Sequence, residues 1–414
     1  MAQLSDDCFA FGGALLSVEQ AEALIAERVP PLAGVATVPL HAARGRVLAE
    51  ALRAGVALPP FFNAAVDGYA FRHADLGAGE TALPLAGRVA AGHGGGPLPA
   101  RSAVRIFTGA PMPPGADSVL MQEDAREADG AVLVPPGLKP GANARPAGED
   151  VALGSVALAA GTRLHAPQIG LAAALGNATL GVRPLVRVGV FSTGDELASP
   201  GTALGPAQTY DSNRFTLLAL LGGLPVVATD LGILPDDAAA TTHALAAAAG
   251  AQDLLLTSGG VSTGEEDHVR AAIQHGGSLV FWRLAVKPGR PAAMGVIAGT
   301  PVLGLPGNPV AAVVTFLHLA RPMVLRLAGA RPEPLPRFPA EAAFSYRKKA
   351  GRREYVRVRL APGTPLPRAE KFEREGAGLL TSLTECDAFA ELPEEVTAVA
   401  PGDSVAVLPF AACF

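Results

Sequence analysis

The chain has 414 residues and a formal net charge of −5, a length that corresponds to about two to four domains. The acidic balance excludes a general polyanion-coating protein but leaves room for one local basic site. Apolar residues make up 49% of the chain, enough for a large core, and its 48 Gly and 37 Pro sit between apolar runs, where they read as turns rather than disorder.

In chain order, residues 17–28 form a helical pattern. Ser17 and Gln20 make a capping box, and Val18, Ala21, Leu24 and Ile25 share one face. Residues 54–147 are broken by Pro59-Pro60, by the glycines at 92–96 and by two Pro-Gly turns. Short β-like runs at 103–108, 118–121 and 131–134 predict a small, loop-rich β domain. A helix is expected at 166–175.

Residues 186–328 change rhythm. Strands are predicted at 186–192, 226–234, 253–257, 278–286 and 301–305. Helices are predicted at 212–221, capped by Asp211, at 238–249, capped by Asp236 or Asp237, and at 267–274 and 310–327. Continuous apolar strands alternating with helices imply a parallel sheet covered on both faces. From Arg337 onward, alternating runs at 355–360 and 404–408 suggest a small all-β barrel or sandwich.

No apolar run reaches the ~18–20 residues of a bilayer span; residues 215–228 and 310–320 are the longest candidates. Asp6 and Asp7 occupy an N-terminus without a basic region, which argues against a signal peptide. Cys8, Cys386 and Cys413 make no CxxC pair, and the eight His show no paired metal spacing. Neither a disulfide framework nor a structural zinc site is expected, and the composition fits a reducing cytoplasm. Neither nucleic acid nor membrane is expected as a partner.

The polar motifs of the α/β unit all fall at strand ends, where an open parallel sheet forms its ligand crevice. They are Ser192-Thr193-Gly194-Asp195-Glu196, Pro235-Asp236-Asp237, the run from Thr257 to Asp267, Lys287-Pro288-Gly289-Arg290, and Leu305-Pro306-Gly307-Asn308-Pro309. Gly259 and Gly264 have the spacing of a P-loop, but Glu265 stands where its lysine belongs. The glycines either cradle an anion with backbone N–H groups, charge being supplied by Lys287 and Arg290, or simply make a tight βα turn.

Asp195, Glu196, Asp236, Asp237, Glu265, Glu266 and Asp267 surround that place. Some of them cap helices. Carboxylates beside a phosphate would repel it by ~4 kcal/mol per pair at ~4 Å and an effective dielectric of about 20. A bound Mg²⁺ resolves the conflict, so the residues argue for a phosphorylated ligand held partly through Mg²⁺. Asp67, after a Pro-Pro stop, and Thr108, at a strand end, mark two further polar loops.

Taken in order, these motifs resemble the molybdopterin molybdenumtransferase family, which includes bacterial MoeA and the E domain of gephyrin. The matching strings are Val66-Asp67-Gly68-Tyr69-Ala70, Thr108-Gly109-Ala110-Pro111, Ser192 to Leu197, Tyr210-Asp211-Ser212-Asn213-Arg214, Ser258-Gly259-Gly260-Val261-Ser262, Lys287-Pro288-Gly289 and Gly304 to Pro309. The resemblance implies an elongated homodimer of four-domain subunits, α/β plus β in class. It divides the chain into a connecting and dimerisation domain (1–54 with 148–185), a loop-rich β domain (55–147), an α/β molybdopterin-binding domain (186–333) and a C-terminal β-barrel (334–414).

It also implies molybdenum insertion. Molybdate and adenylylated molybdopterin are the substrates, AMP is released, Mg²⁺ is required, and the active site lies between subunits. Contact with other enzymes of the cofactor is transient. The functional positions it points to are Asp67, Thr108, Glu196, Asp236, Asp267 and Lys287, with Glu196, Asp236 and Asp267 as metal ligands. Gly259, Gly260, Ser262, Arg283, Arg290, Pro306, Gly307, Asn308, Pro309 and Arg352 would bind substrate. Arg283 replaces a frequent Lys, and Ala377 stands in the place of a last-domain Ser found in some relatives. Two alternatives stay open on the sequence: adenylylation of molybdopterin by ATP, and a non-catalytic dimeric scaffold.

Overall fold

A computed structural model describes residues 15–260 and 268–414. Helix α1 (Val18–Arg28) begins at the expected capping box: Ser17 accepts from the Gln20 backbone N–H, and the Gln20 side chain accepts from the Ser17 N–H. Its apolar stripe of Val18, Ala21 and Ile25 is buried. Helix α2 (Ala166–Ala174) is followed closely by the strand Thr179–Val182, which pairs antiparallel with Ala36–Pro39.

The loop-rich region folds as one six-stranded sheet of β1 (Gly68–Phe71), β2 (Thr81–Val89), β3 (Ala103–Ile106), β4 (Ser118–Met121), β5 (Arg126–Ala128) and β6 (Ala131–Val134), in the order β4-β1-β3-β2-β6-β5. The sequence puts Tyr69 in a turn; the structure makes it the second residue of β1. The preceding Gly68 is required sterically, because a Cβ there would overlap the Leu120 carbonyl of the neighbouring β4.

The α/β unit is built on β7 (Val186–Thr193), β8 (Val226–Leu234), β9 (Leu254–Ser258), β10 (Gly277–Arg283), β12 (Pro291–Ile297) and β13 (Thr300–Leu305), in the order β8-β7-β9-β13-β12-β10. Its first four strands are parallel, as expected, but β12 runs antiparallel to β13 and to β10. The sheet is therefore mixed, and the sequence analysis missed β12, which opens on a proline and is rich in Ala and Gly.

Both faces are covered. Val188, Leu256 and Leu303 pack with α1 and the long helix 309–327, while Phe191, Leu255 and Val302 pack with α4 (Ala238–Ala249) and α5 (His268–Gly276). Period-two side-chain alternation along buried strands produces exactly opposite faces of apolar contact, hence the unbroken apolar runs.

The helix Pro309–Leu327, here α6, corrects one expectation. It is the one described helix long and apolar enough to cross a membrane, and 83% of its most apolar stretch is buried inside the protein. A π-type turn interrupts it at Phe316–Ala320, just before Pro322. Proline lacks an N–H and crowds the carbonyl four residues back, which widens the helix there.

The C-terminal strands β14 (Phe338–Ala342), β15 (Arg353–Ala361), β16 (Arg368–Lys371), β17 (Ala388–Leu392) and β18 (Ser404–Pro409) close into a barrel in the order β15-β16-β14-β18-β17-β15. One short strand, β11 (Val286–Lys287), leaves the α/β unit and pairs parallel with the start of β15.

A buried charge cluster staples α3 (Asn213–Leu221) to β8. Arg214 donates to Asp211 at 2.8 Å and pairs with Asp230, with Arg214 and Asp211 both nearly sealed from solvent. Breaking such a cluster leaves an uncompensated carboxylate, which costs ~3–5 kcal/mol. Arg214→Met is expected to lower unfolding free energy by that amount in urea titrations. Arg126→Ala, which removes an exposed pair with Glu80, should change it by less than about 0.5 kcal/mol.

Candidate functional site

Three neighbouring strands bring their carboxyl ends together. Ser192 of β7 pairs with Ser258 of β9, and Ser258 pairs with Leu305 of β13. The Gly259 N–H then donates to the Leu305 carbonyl at 3.0 Å. Gly259 and Gly260 have φ of +91° and +68°. That backbone favours glycine, and at Gly260 a Cβ would also press on Thr193 Oγ1 and Val269. The sequence left two readings of these glycines open, and the geometry fits a sharply folded βα turn at the crevice.

Asn213, in the first turn of α3, ties the strand ends to each other. Its Nδ2 donates to Ser258 Oγ at 2.9 Å and to the Gly307 carbonyl at 2.7 Å. Its Oδ1 is buried without a partner, as is Ser192 Oγ. Both orphaned groups lie at the strand ends, where a ligand's polar atoms would satisfy them. In the sequence Asn213 stands only within the string 210–214; an amide at the head of an apolar helix is the signal for a working role.

The acidic residues separate into different jobs. Asp237 caps α4, accepting from the Ala240 N–H at 2.7 Å. Asp195 and Asp236 lie side by side: the Asp236 N–H donates to Asp195 Oδ1 at 3.1 Å, and the Asp195 N–H to Asp236 Oδ2 at 3.4 Å. The Glu196 carboxylate folds over Gly194, filling the space a side chain would need. Ser262, Glu265, Glu266 and Asp267 lie outside the described residues. Among the described residues no group of three or more His, Cys, Asp or Glu forms a metal cluster.

Pro306 is buried, while Gly307 and Asn308 are exposed ahead of α6, where Pro309 occupies the first turn. Arg290 is exposed, its carbonyl accepting from the Leu284 N–H at 3.2 Å. Arg283 closes β10, paired with Pro291.

Beyond the Leu305–Pro309 turn, the Val310 N–H donates to the Ala377 carbonyl at 3.0 Å. Ala377 lines a cavity of about 150 Å³ shared with Lys287, Tyr346, Arg357, Lys371 and Arg374. The cavity therefore adjoins the strand ends. Its wall is strongly basic: Lys371 is paired with Glu375 at 3.0 Å, while Arg357 Nε is buried without a partner. Arg357 Nη2 donates to the Gly376 carbonyl at 3.1 Å, and burial pulls its guanidinium below the usual arginine range.

The sequence pointed to Arg352. The structure turns Arg352, just ahead of β15, onto Glu354, with Nε donating to Oε1 at 2.7 Å, and it is Arg357, five residues on and within β15, that lines the cavity. Arg357 reads in sequence as one more arginine in an alternating strand, so only the closed barrel reveals it.

Lys287 Nζ lies 3.3 Å from Glu354 Oε2 and 3.2 Å from Tyr346 Oη. Partial burial works against its charge, but Tyr346 and Glu354 carry the ammonium above its ordinary value. Burial would likewise raise Glu354, yet hydrogen bonds from Tyr346 and Arg352 and the Lys287 charge hold it below the usual carboxylate range.

Asp67 and Thr108 form a separate unit on the β1–β3 sheet. The Thr108 N–H and Oγ1 donate to Asp67 Oδ1 at 2.7 and 2.6 Å. Those bonds, aided by the Arg105 charge, hold the exposed Asp67 carboxyl low. No described hydrogen bond or ion pair joins this unit to the strand ends of the α/β sheet.

The chain matches three family models: the MoeA N-terminal region (domains I and II) over residues 16–176, a probable molybdopterin binding domain over 189–326, and the MoeA C-terminal region (domain IV) over 339–410. Fold and sites thus define a multidomain protein of molybdenum cofactor biosynthesis. It is 37% identical to a Haemophilus influenzae molybdopterin molybdenumtransferase, over 96% of this chain and 99% of the relative. It is 38% identical to molybdopterin molybdenumtransferase 2 of Mycobacterium tuberculosis, over 94% and 98%. The crystal structure of a molybdopterin biosynthesis MoeA protein from Pyrococcus horikoshii superposes with a TM-score of 0.80 at 27% identity, covering 95% of this chain and 99% of that one. The chain belongs to the MoeA family of molybdopterin molybdenumtransferases.

Replacing Thr108 by Val removes the hydroxyl from Asp67 while keeping the backbone bond. The Asp67 carboxyl pKa should rise toward its ordinary value, read from carboxyl carbon shifts in a pH titration by NMR. An unchanged value would mean that the hydroxyl does not hold the carboxylate.

Proposed function

We propose that this protein inserts molybdenum from molybdate into molybdopterin supplied in adenylylated form, releasing AMP with Mg²⁺ present. One observation carries the reading. A cavity of about 150 Å³, walled by Lys287 and by Arg357 with its unpartnered buried Nε, adjoins the glycine-rich strand ends. It suits a small tetrahedral dianion, and the crevice beside it suits the larger pterin nucleotide.

In this reading Lys287 and Arg357 hold molybdate by its oxygens and draw electron density from them, which eases replacement of a molybdate oxygen by the two dithiolene sulfurs, the oxygen leaving as water with the two thiol protons. Asn213, through Oδ1, and the Gly259–Gly260 turn orient the pterin side at the strand ends. Glu196, Asp236 and Asp267 are the carboxylates assigned in this reading to a Mg²⁺ that substrate phosphates and water would complete, with Asp195 hydrogen-bonded beside Asp236. When bound, Mg²⁺ neutralises charge on the phosphates and on the departing AMP.

A homodimer belongs to the same reading: the Asp67–Thr108 pair, which no described hydrogen bond or ion pair joins to these strand ends, would serve the crevice of the partner subunit. The four units keep the divisions 1–54 with 148–185, 55–147, 186–333 and 334–414. A cytoplasmic setting belongs to the same reading; burial pushes the Cys386 thiol up to about 11 and the Cys413 thiol up to about 12.

The direct test is incubation of the pure protein with adenylylated molybdopterin, Mg²⁺ and molybdate. AMP and active cofactor are expected; their absence overturns the reading, and ATP consumption with pyrophosphate release would favour adenylylation instead. Arg357→Gln should weaken molybdate binding by ~10–100-fold, the loss typical of a charge-assisted contact.

The shared site has its own test. Asp67→Ala and Lys287→Ala proteins are each expected to be inactive. Mixed and re-equilibrated at equal amounts, they should recover about a quarter of wild-type turnover, because mixed dimers then contain one intact site of two. No recovery would place all site residues within one subunit.

A further inference from the structure

We propose that Glu354 is a positioning residue for the oxyanion pocket: from inside the barrel it fixes the Lys287 ammonium at the cavity, with Tyr346 and Arg352 fixing Glu354 in turn. The proposal rests on the reading of that cavity as the molybdate site and adds the group that sets its affinity without touching the substrate.

A carboxylate only 1% exposed must be fully partnered to stay ionised. Glu354 has three donors: Tyr346 Oη at 2.8 Å, Arg352 Nε at 2.7 Å and Lys287 Nζ at 3.3 Å. The backbone prepares this meeting, because β11 pairs with β15 in a register that sets Lys287 opposite Glu354. The Arg353 N–H seals the seam by donating to the Ala285 carbonyl at 2.7 Å.

Lys287 itself is half exposed. A four-carbon stem with a mobile ammonium loses entropy when an anion captures it. Glu354 and Tyr346 remove that loss in advance, so the ammonium already lies against the cavity wall when the dianion arrives.

The charged groups facing Lys287 come from several elements. Glu354, Arg352 and Arg357 project from β15 and its approach, Tyr346 from the strand before it, Lys371 from β16, and Arg374 and Glu375 from the loop that follows. Removing the Glu354 charge leaves Lys287 among cations, with Glu375 already engaged by Lys371. The ammonium then gives up its proton more readily, and anion binding fails at lower pH.

The test uses the full-length protein and sodium molybdate, by calorimetric titration and by AMP-release kinetics across pH. Glu354→Gln should weaken molybdate binding and raise its KM by ~10–100-fold while kcat stays within about 3-fold, the pattern of a lost supporting partner. Its alkaline limb of binding should move down by about one pH unit. Glu354→Asp should recover part of the affinity. Tyr346→Phe, which deletes one hydroxyl and leaves the carboxylate in place, should weaken binding by ~3–10-fold, and it carries the test should Glu354→Gln fail to fold in thermal melts.

Unchanged affinity and an unmoved alkaline limb in Tyr346→Phe and the folded Glu354 variant overturn the proposal, as does a wild-type protein that does not bind molybdate. A wild-type protein that binds molybdate with the expected losses in the variants, yet forms no AMP, would support the clamp while overturning the proposed reaction.

Discussion

A buried charge must find partners or give up its charge, and much of this protein is arranged around that demand. Glu354 lies inside the barrel with almost no exposure, and its donors come from the barrel and from the α/β unit alike. A two-residue parallel pairing brings Lys287 opposite it. The seam between two differently built units therefore depends on an electrostatic contact. Without the lysine the carboxylate loses a partner, and without the carboxylate the lysine loses its orientation. A site assembled across such a seam is only as precise as that contact.

The carboxyl ends of the α/β strands answer a different constraint, that of backbone room. Gly259 and Gly260 adopt positive-φ conformations that favour glycine, directly against Thr193. Asn213 spans from one strand end to the next turn, so three chain segments meet with almost no side-chain bulk between them. The contact of Val310 with Ala377 joins these strand ends to the basic cavity, which in the proposed reading sets the small anion beside the larger pterin nucleotide.

What the sequence discloses follows how local its causes are. Strand Val226–Leu234 and helix Ala238–Ala249 match the expected bounds residue for residue, since an apolar run and an Asp cap are both written within a few positions. Strand Pro291–Ile297 escapes notice because Pro, Ala and Gly are weak strand formers; it is a strand through its neighbours, buried between β13 and β10. The long helix 309–327 exceeds the apolar length read from composition because its polar and basic residues are carried on the same continuous helix. The site divides along the same line. The glycine turns, Asp67 with Thr108, and Lys287 announce themselves as motifs. Arg357 and Glu354 do not: one is chosen by barrel closure and the other by a pairing 67 residues apart in the chain.

That division explains why the motif-based choice fell on Arg352 rather than Arg357. Both lie on or beside one strand, five residues apart, and five is an odd number of steps along a pleated strand. Arg352 precedes β15 and Arg357 lies within it, and the two side chains find different partners. Arg352 turns to the buried carboxylate and completes its neutralisation; Arg357 enters the cavity and keeps an N–H unspent. In the proposed reading the two arginines act on the same anion pocket at different removes, one by direct donation and the other by holding the group that holds Lys287. A sequence pattern records that both are cationic, but only the folded barrel shows which of them lines the cavity.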